Sequence, residues 1–471
     1  MSHSKKLVRD TILTLIALGM FGSTNFVFNV VIGRFYGSEF LGEVSAALST
    51  VLLFSYVVAT SFPAATSKYI SEFLGKKDEK GAGYVLKLSV IIPLIVVIIE
   101  TILVIILSPY VASMVNVRID LFLWAIPILP LYALYSVLRM VFYGYRNVKE
   151  YFKREIISDV VFFTFLTIIV IFRLKSLVYL PYMLLYIIFI MLTITFIRGR
   201  ISKTHSHYKE ICKKFIIFAG ICFIGTFSSM GARNLLIMFS SYYLPSSEVG
   251  YISAALAISN VFFLVPNALQ RVLLPEFSYL YGAKIKKKTI TLLNKTTEYI
   301  AFFANIVIML AIIFSQYIVT ILYSSEFLPA YILLQILLTA LWLRMVARPS
   351  VSLLTGTKYV HISNIAGLLG LIVSTILWPI LIPTFGLIGG VIGYALGVVV
   401  NTTLNFSYAH KYFKLKYKII IKNYLYIIIV TIIMVAIPIN FWYKVIVSTG
   451  ILGLYTALNR NILKRILKKM L

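Results

Sequence analysis

The chain has 471 residues, 60% of them hydrophobic, with a mean hydropathy of +0.95 and only 13% charged residues, about half the ~25% usual for a soluble domain. This excludes an ordinary soluble enzyme, a disordered chain and a nucleic-acid binder. The net charge of +28 comes from short basic clusters between long apolar runs, which is a membrane pattern.

A helix needs ~20 apolar residues to cross a bilayer. Fourteen such runs are present: 11–33, 41–64, 84–107, 121–142, 156–172, 177–197, 215–240, 250–279, 297–315, 328–354, 360–382, 385–409, 420–439 and 441–459. The fold class expected is therefore all-α integral membrane. The first run is too long for a secretory signal peptide. With the N-terminus placed in the cytoplasm, 34 of the 44 Lys and Arg fall in inner segments and five in outer ones. That bias predicts both termini in the cytoplasm and a multi-pass protein of the cell membrane.

An internal repeat relates the two halves. LGEVSAAL at Leu41–Leu48 and VGYISAAL at Val249–Leu256 share five of eight residues at an offset of 208. Gly75 and Gly282 match further on, as do the pairs Gly144/Arg146 and Gly356/Lys358. Spans 1–6 and 7–12 are then parallel repeats, with spans 13 and 14 appended. The domains expected are an N-lobe over 1–200, a C-lobe over 201–410, and a helix pair with a basic tail over 411–471. Such repeats imply a transporter with substrate between the halves and alternating access by rocking.

A charge inside a span costs at least ~2.5–3.5 kcal/mol, so it faces a cavity or a partner. Five arginines are embedded. Arg139 and Arg348 lie near inner helix ends and suit snorkelling. Arg233, Arg271 and Arg344 lie deeper and suit a hydrated cleft. Ser253, Asn260, Asn267 and Arg271 share one helical face at 3.6 residues per turn. In the first span Asn25 and Asn29 form a polar stripe between Gly22 and Gly33. The candidate cavity set is Arg233, Arg271, Arg344, Asn260, Asn267 and Asn25. Buried arginine suits phosphate, because its planar fork stays charged and binds oxygens bidentately. Glu100, deep in the third span, either pairs with an arginine or serves as a coupling site.

Catalysis has no support. The five histidines are in or near loops, and neither HExxH nor a Walker loop is present. The two cysteines, Cys212 and Cys222, exclude a disulfide framework and a multi-cysteine metal cluster. No metal or cofactor is expected.

The fourteen spans and the six-plus-six-plus-two repeat resemble the polysaccharide transporter (O-antigen-type flippase) family, within the multidrug/oligosaccharidyl-lipid/polysaccharide exporter superfamily. So do the stretch Ser247–Leu256 with Leu273–Ser278, at the start and end of the eighth helix, and Phe385–Gly390, at the start of the twelfth. The resemblance implies a flippase moving a polyprenyl- or dolichyl-(pyro)phosphate-linked oligosaccharide from the cytoplasmic to the outer leaflet. It also implies membrane lipids, and glycosyltransferases or a polymerase of the same pathway, as partners. Coupling to H+, to Na+ or to the membrane potential is compatible with it. The alternative is a cation-coupled exporter of amphipathic small molecules, with Glu100 as an echo of the acid that multidrug extruders keep in an N-lobe helix.

Overall fold

The computed structural model describes residues 3–202 and 208–436, with parts of 446–460; side chains are described from Gly19 onward, with scattered exceptions that include Ser229 and Arg271. The described residues are overwhelmingly helical. Fourteen α-helices follow in order: α1 (His3–Gly75), α2 (Glu79–Met114), α3 (Ile119–Ala125), α4 (Ile128–Gly144), α5 (Val148–Ile171), α6 (Leu180–Ile197), α7 (Tyr208–Tyr243), α8 (Ser246–Val261), α9 (Leu264–Gly282), α10 (Lys286–Ile313), α11 (Ser315–Leu322), α12 (Ala330–Thr355), α13 (Val360–Phe413) and α14 (Tyr417–Ala436).

Among the described residues nine helices are long and apolar enough to cross a membrane. Two of them, over Gly22–Gly75 and Val360–Phe413, run 54 residues each, far beyond the ~20 a bilayer needs. Each breaks at a glycine. Gly37 sits at φ 87°, ψ 176° and Gly386 at φ 57°, ψ −136°, conformations that a Cβ makes costly. α1 thus supplies the first and second expected spans, and α13 the eleventh and twelfth. The two arms of α13 fold back on each other: Trp378 Nε1 donates to the Gly390 carbonyl at 3.0 Å, and Ser374 Oγ to the Gly393 carbonyl at 3.1 Å. The fourteenth span, 441–459, lies largely outside the described residues.

The single eighth span expected over 250–279 is instead two helices, α8 and α9. Pro266 is the cause. It has no N–H to give the carbonyl of Phe262 and its ring crowds that carbonyl, so the helix breaks at 262–263 and Pro266 sits in the first turn of α9, where proline is tolerated.

By contact density the chain forms two compact units, Met1–Ser253 and Ala254–Leu471. In the first unit α1 packs on α2, α4, α5 and α7. The repeat appears there as a reciprocal helix crossing. A Cβ on Gly42 would collide with the Ser246 carbonyl, and one on Gly250 with the Ser38 carbonyl. Ser38 and Gly42 correspond to Ser246 and Gly250 at the same offset of 208 that aligns the repeats. In the second unit α12 packs on α9, α10 and α13, and α14 on α10. The outer stripe of α2, with Ile95, Ile98, Ile99, Ile102 and Ile106 exposed, recurs every three to four residues and suits contact with lipid tails.

Candidate functional site

In the first unit, Asn25 of α1 and Arg233 of α7 meet. Arg233 Nη2 donates to Asn25 Oδ1 at 3.2 Å, and Asn29 Nδ2 donates to the Asn25 carbonyl at 2.9 Å. Asn25 Nδ2 points at the Tyr182 hydroxyl, 3.5 Å away. Tyrosines continue this wall. Tyr182 stacks on Tyr186 with centroids 6.2 Å apart, Tyr186 meets Tyr132 at 5.7 Å, and Tyr132 meets Tyr56 at 6.3 Å. Asn234 Nδ2 donates to the Tyr56 hydroxyl at 2.8 Å. The wall offers aromatic faces, hydroxyls and amides, with a guanidinium at one end.

In the second unit, Arg344 and Arg348 lie one turn apart on α12. Their guanidinium carbons stand 4.6 and 4.3 Å from the centroid of the Phe263 ring, within cation–π range. Arg344 Nη1 donates to the Tyr394 hydroxyl at 2.9 Å, and Arg348 Nη1 donates to Gln270 Oε1. Arg348 Nε is buried without a hydrogen-bond acceptor. Among the described residues no carboxylate forms an ion pair with either arginine. Two like charges four residues apart repel, so this pair has hydrogen-bonding capacity and charge that the unit leaves uncompensated.

The expected snorkelling of Arg139 and Arg348 does not occur. Arg348 turns inward to Gln270 and Phe263. Arg139 lies over the Tyr135 ring at 5.5 Å, in the field of Glu155. Asn260 ends α8 and Asn267 opens α9, both exposed. The break between those helices means that the stripe Ser253, Asn260, Asn267, Arg271 is not the face of one helix. The side chain of Arg271 lies outside the described residues. Glu100 is partly covered on α2, with both carboxylate oxygens lacking a hydrogen-bond partner, so of its two alternatives the pairing with an arginine is not made.

Sequence reasoning missed Glu155. It and Asp159 are each 1% exposed, and the Tyr135 hydroxyl donates to Glu155 Oε1 at 2.6 Å. The basic run Lys149, Lys153 and Arg154 made this stretch read as a loop. The helical spacing of buried Val148, Tyr151, Glu155, Ser158 and Phe162 was the available signal. Among the described residues no group of three or more His, Cys, Asp or Glu side chains is placed to hold a metal ion.

Residues 14–172 match the MatE family model. A stretch of 153 residues, 32% of this chain, is 33% identical to the stage V sporulation protein B of Bacillus subtilis (strain 168), and spans 30% of that relative's length. Among solved structures, a lipid II flippase MurJ in an inward closed conformation superposes with TM-score 0.71 at 16% identity, covering 97% of this chain and 100% of that one. An inward-facing multidrug resistance MATE family transporter of the MOP superfamily gives TM-score 0.71 at 15% identity, covering 85% of this chain and 97% of that one. The resemblance read from the sequence therefore holds for the fold of the chain and, in sequence, for residues 14–172. Residues 14–172 carry MatE-type sequence, and the chain as a whole has the fold of these transporters, with several helices long and apolar enough to cross a membrane.

Proposed function

We propose that this protein is a flippase for a lipid-linked oligosaccharide, moving a polyprenyl- or dolichyl-(pyro)phosphate-linked sugar from the cytoplasmic to the outer leaflet by alternating access. The carrying observation is the Arg344–Arg348 pair, half-buried on Phe263 and forming no ion pair with an acid among the described residues. Such a pair suits a (pyro)phosphate, whose oxygens accept the forked donors. Taken by itself, the tyrosine and asparagine wall of the first unit is a surface that suits hydroxylated rings, since it offers rings and amides together. The basic clusters place both termini in the cytoplasm on this reading, and coupling is to an ion or to the membrane potential.

The barrier fits the role. Each sugar hydroxyl costs ~1–3 kcal/mol to desolvate, so an oligosaccharide crossing bare lipid faces tens of kcal/mol. A polar route removes most of it while the lipid tail stays in the bilayer. Support also comes from the structural relative named as a lipid II flippase.

The test is surface appearance of the glycan in a flippase-deficient host, with variants at matched membrane levels. Each arginine supplies charge-assisted hydrogen bonds of ~1.5–3 kcal/mol, so Arg344→Ala is expected to lower export by about tenfold to a hundredfold. Arg344→Lys recovers part of that, because lysine lacks the fork. Normal export by Arg344→Ala and Arg348→Ala, with Glu100→Gln inactive, would replace this reading with the cation-coupled exporter.

A further inference from the structure

A second basic feature lies away from these arginines, in the second unit where the end of α9, the start of α10 and the end of α13 meet. A cavity of about 490 Å³ opens there, within the ~300–1,000 Å³ range of small-molecule sites. Its rim carries Lys284 and Lys286, and its wall Tyr281, Tyr359, Tyr412 and Phe413. Tyr359 and Tyr412 stack with centroids 4.2 Å apart at 17°. Lys358 and Lys411 lie over these two rings at 5.3 and 5.6 Å. Thr289 spends its hydroxyl on the Ile285 carbonyl. Farther along α10, Asn294 ties that helix to the chain leaving α13: its Nδ2 donates to the Lys414 carbonyl at 3.3 Å and its Oδ1 accepts from the Lys416 amide at 2.8 Å.

No acid lines this cavity, and among the described residues neither Lys284 nor Lys286 forms an ion pair. The electrostatics of α10 add to the imbalance. It begins Lys286-Lys287-Lys288, with no acid in its first turn and no side chain capping it, although the positive end of a helix dipole favours anions.

We infer that this cavity binds a phosphate ester of net negative charge, with the lysine ammonium groups on the phosphate oxygens and the carbon skeleton against the tyrosine rings. Cations are repelled, and a purely apolar ligand would leave the ammonium groups unanswered. Rings and lysines together at one end of the helices match the level of lipid headgroups, where aromatic belts and basic residues gather. The ester is carried either by an anionic phospholipid or by a water-soluble organic phosphate. Neither source depends on the transported substrate, so the site stands apart from the reading above.

The experiment is native mass spectrometry of the detergent-purified full chain, titrated in turn with short-chain phosphatidylglycerol, short-chain phosphatidylcholine and glycerol 3-phosphate. Phosphatidylglycerol is expected to bind in preference to phosphatidylcholine. The double variant Lys284→Gln/Lys286→Gln should weaken its binding about tenfold, the loss of charge-assisted contacts. Lys284→Arg/Lys286→Arg should retain it, which separates lost charge from lost folding. Lys76→Gln/Lys80→Gln, at the matching turn of the first repeat, should change it less than twofold. Competition by glycerol 3-phosphate assigns the site to soluble esters; its failure to compete assigns the site to lipid. Equal loss in both glutamine pairs, or no preference for either ester over phosphatidylcholine, overturns the inference.

Discussion

The two units handle charge differently. Residues 1–253 carry 24 Lys and Arg against 13 Asp and Glu; residues 254–471 carry 20 against three, with no acid after Glu326. Five ion pairs lie in the first unit: Lys76–Glu72, Arg118–Glu43, Lys153–Glu150, Arg154–Glu150 and Lys214–Glu210. At depth the contrast repeats, with Arg139 near Glu155 in the first unit and Arg344 and Arg348 without an acid in the second. The repeat turns make the same point. Lys77 and Lys284 occupy the same left-handed conformation, at φ 60° and 58°. Yet α2 is capped by Asp78, which accepts from the Gly81 amide at 2.8 Å, and opens with Glu79, whereas α10 opens on three lysines. One backbone serves both charge patterns, so the fold does not require the second. Unneutralised cations in a protein interior are costly, and an anion from outside is what would offset them.

Removing the cations of the second unit tests that idea hardest. Arg344→Ala/Arg348→Ala is expected to lower glycan export at least about a hundredfold, since two sets of charge-assisted bonds of ~1.5–3 kcal/mol each are lost. The corresponding change in the first unit breaks stability instead. Glu155→Gln keeps the shape and the contact with Tyr135 but leaves Arg139 without its acid. Breaking a buried charge pair costs several kcal/mol, and with the hydrogen bond retained the loss should be about 2 kcal/mol. The thermal midpoint in detergent would fall by several degrees. An unchanged midpoint would mean that Arg139 is compensated elsewhere, and that the first unit is not balanced by its own acids.

Giving the second unit an acid is a finer probe. Gln270 already accepts from Arg348, so Gln270→Glu adds a charge with almost no change of shape. The new pair should stabilise the protein by about 1 kcal/mol, as a well-placed charge-assisted bond does. It should also lower export about tenfold, because Arg348 is then occupied at a cost near ~1.4 kcal/mol to the anion. A variant that is both more stable and fully active would show that Arg348 does not meet the substrate.

Much of this architecture was readable in the residues. The apolar runs located the helices, because a bilayer leaves little choice of length; Gly37 divides the first long helix in the loop expected over 34–40, and Gly386 divides the second just inside the expected twelfth span. Asn25 and Arg233 meet although 208 residues separate them, since a polar stripe and an embedded charge within spans each need a polar partner. Tertiary contact was harder to read. Distance from a helix end assigned Arg348 to the interface, but Phe263 and Gln270, on elements whose break at Pro266 was not foreseen, draw it inward. Glu155 was hidden by its basic neighbours, and only its burial separates it from a surface charge run. The cavity at Lys284 combines residues from 280 to 413, a juxtaposition that no local pattern encodes.

The smallest expected effect exchanges the repeat turns themselves. In Ile285→Asp the new carboxylate occupies the position that Asp78 holds in α2, where it can accept from a first-turn amide and meet the positive end of the helix dipole. Caps of this kind contribute about 1 kcal/mol, so the thermal midpoint should rise slightly. The same carboxylate would sit beside Lys284 and Lys286 and compete with any phosphate for them, so binding of phosphatidylglycerol should weaken by a few fold. Asp78→Ile should have the opposite profile, with stability lower by about 1 kcal/mol and ester binding unchanged. A lower midpoint for Ile285→Asp would mean that the half-buried isoleucine is required for packing and that the missing cap is a structural compromise. A higher midpoint with weaker ester binding would identify the lysine turn as a place where helix stability is given up for an anion.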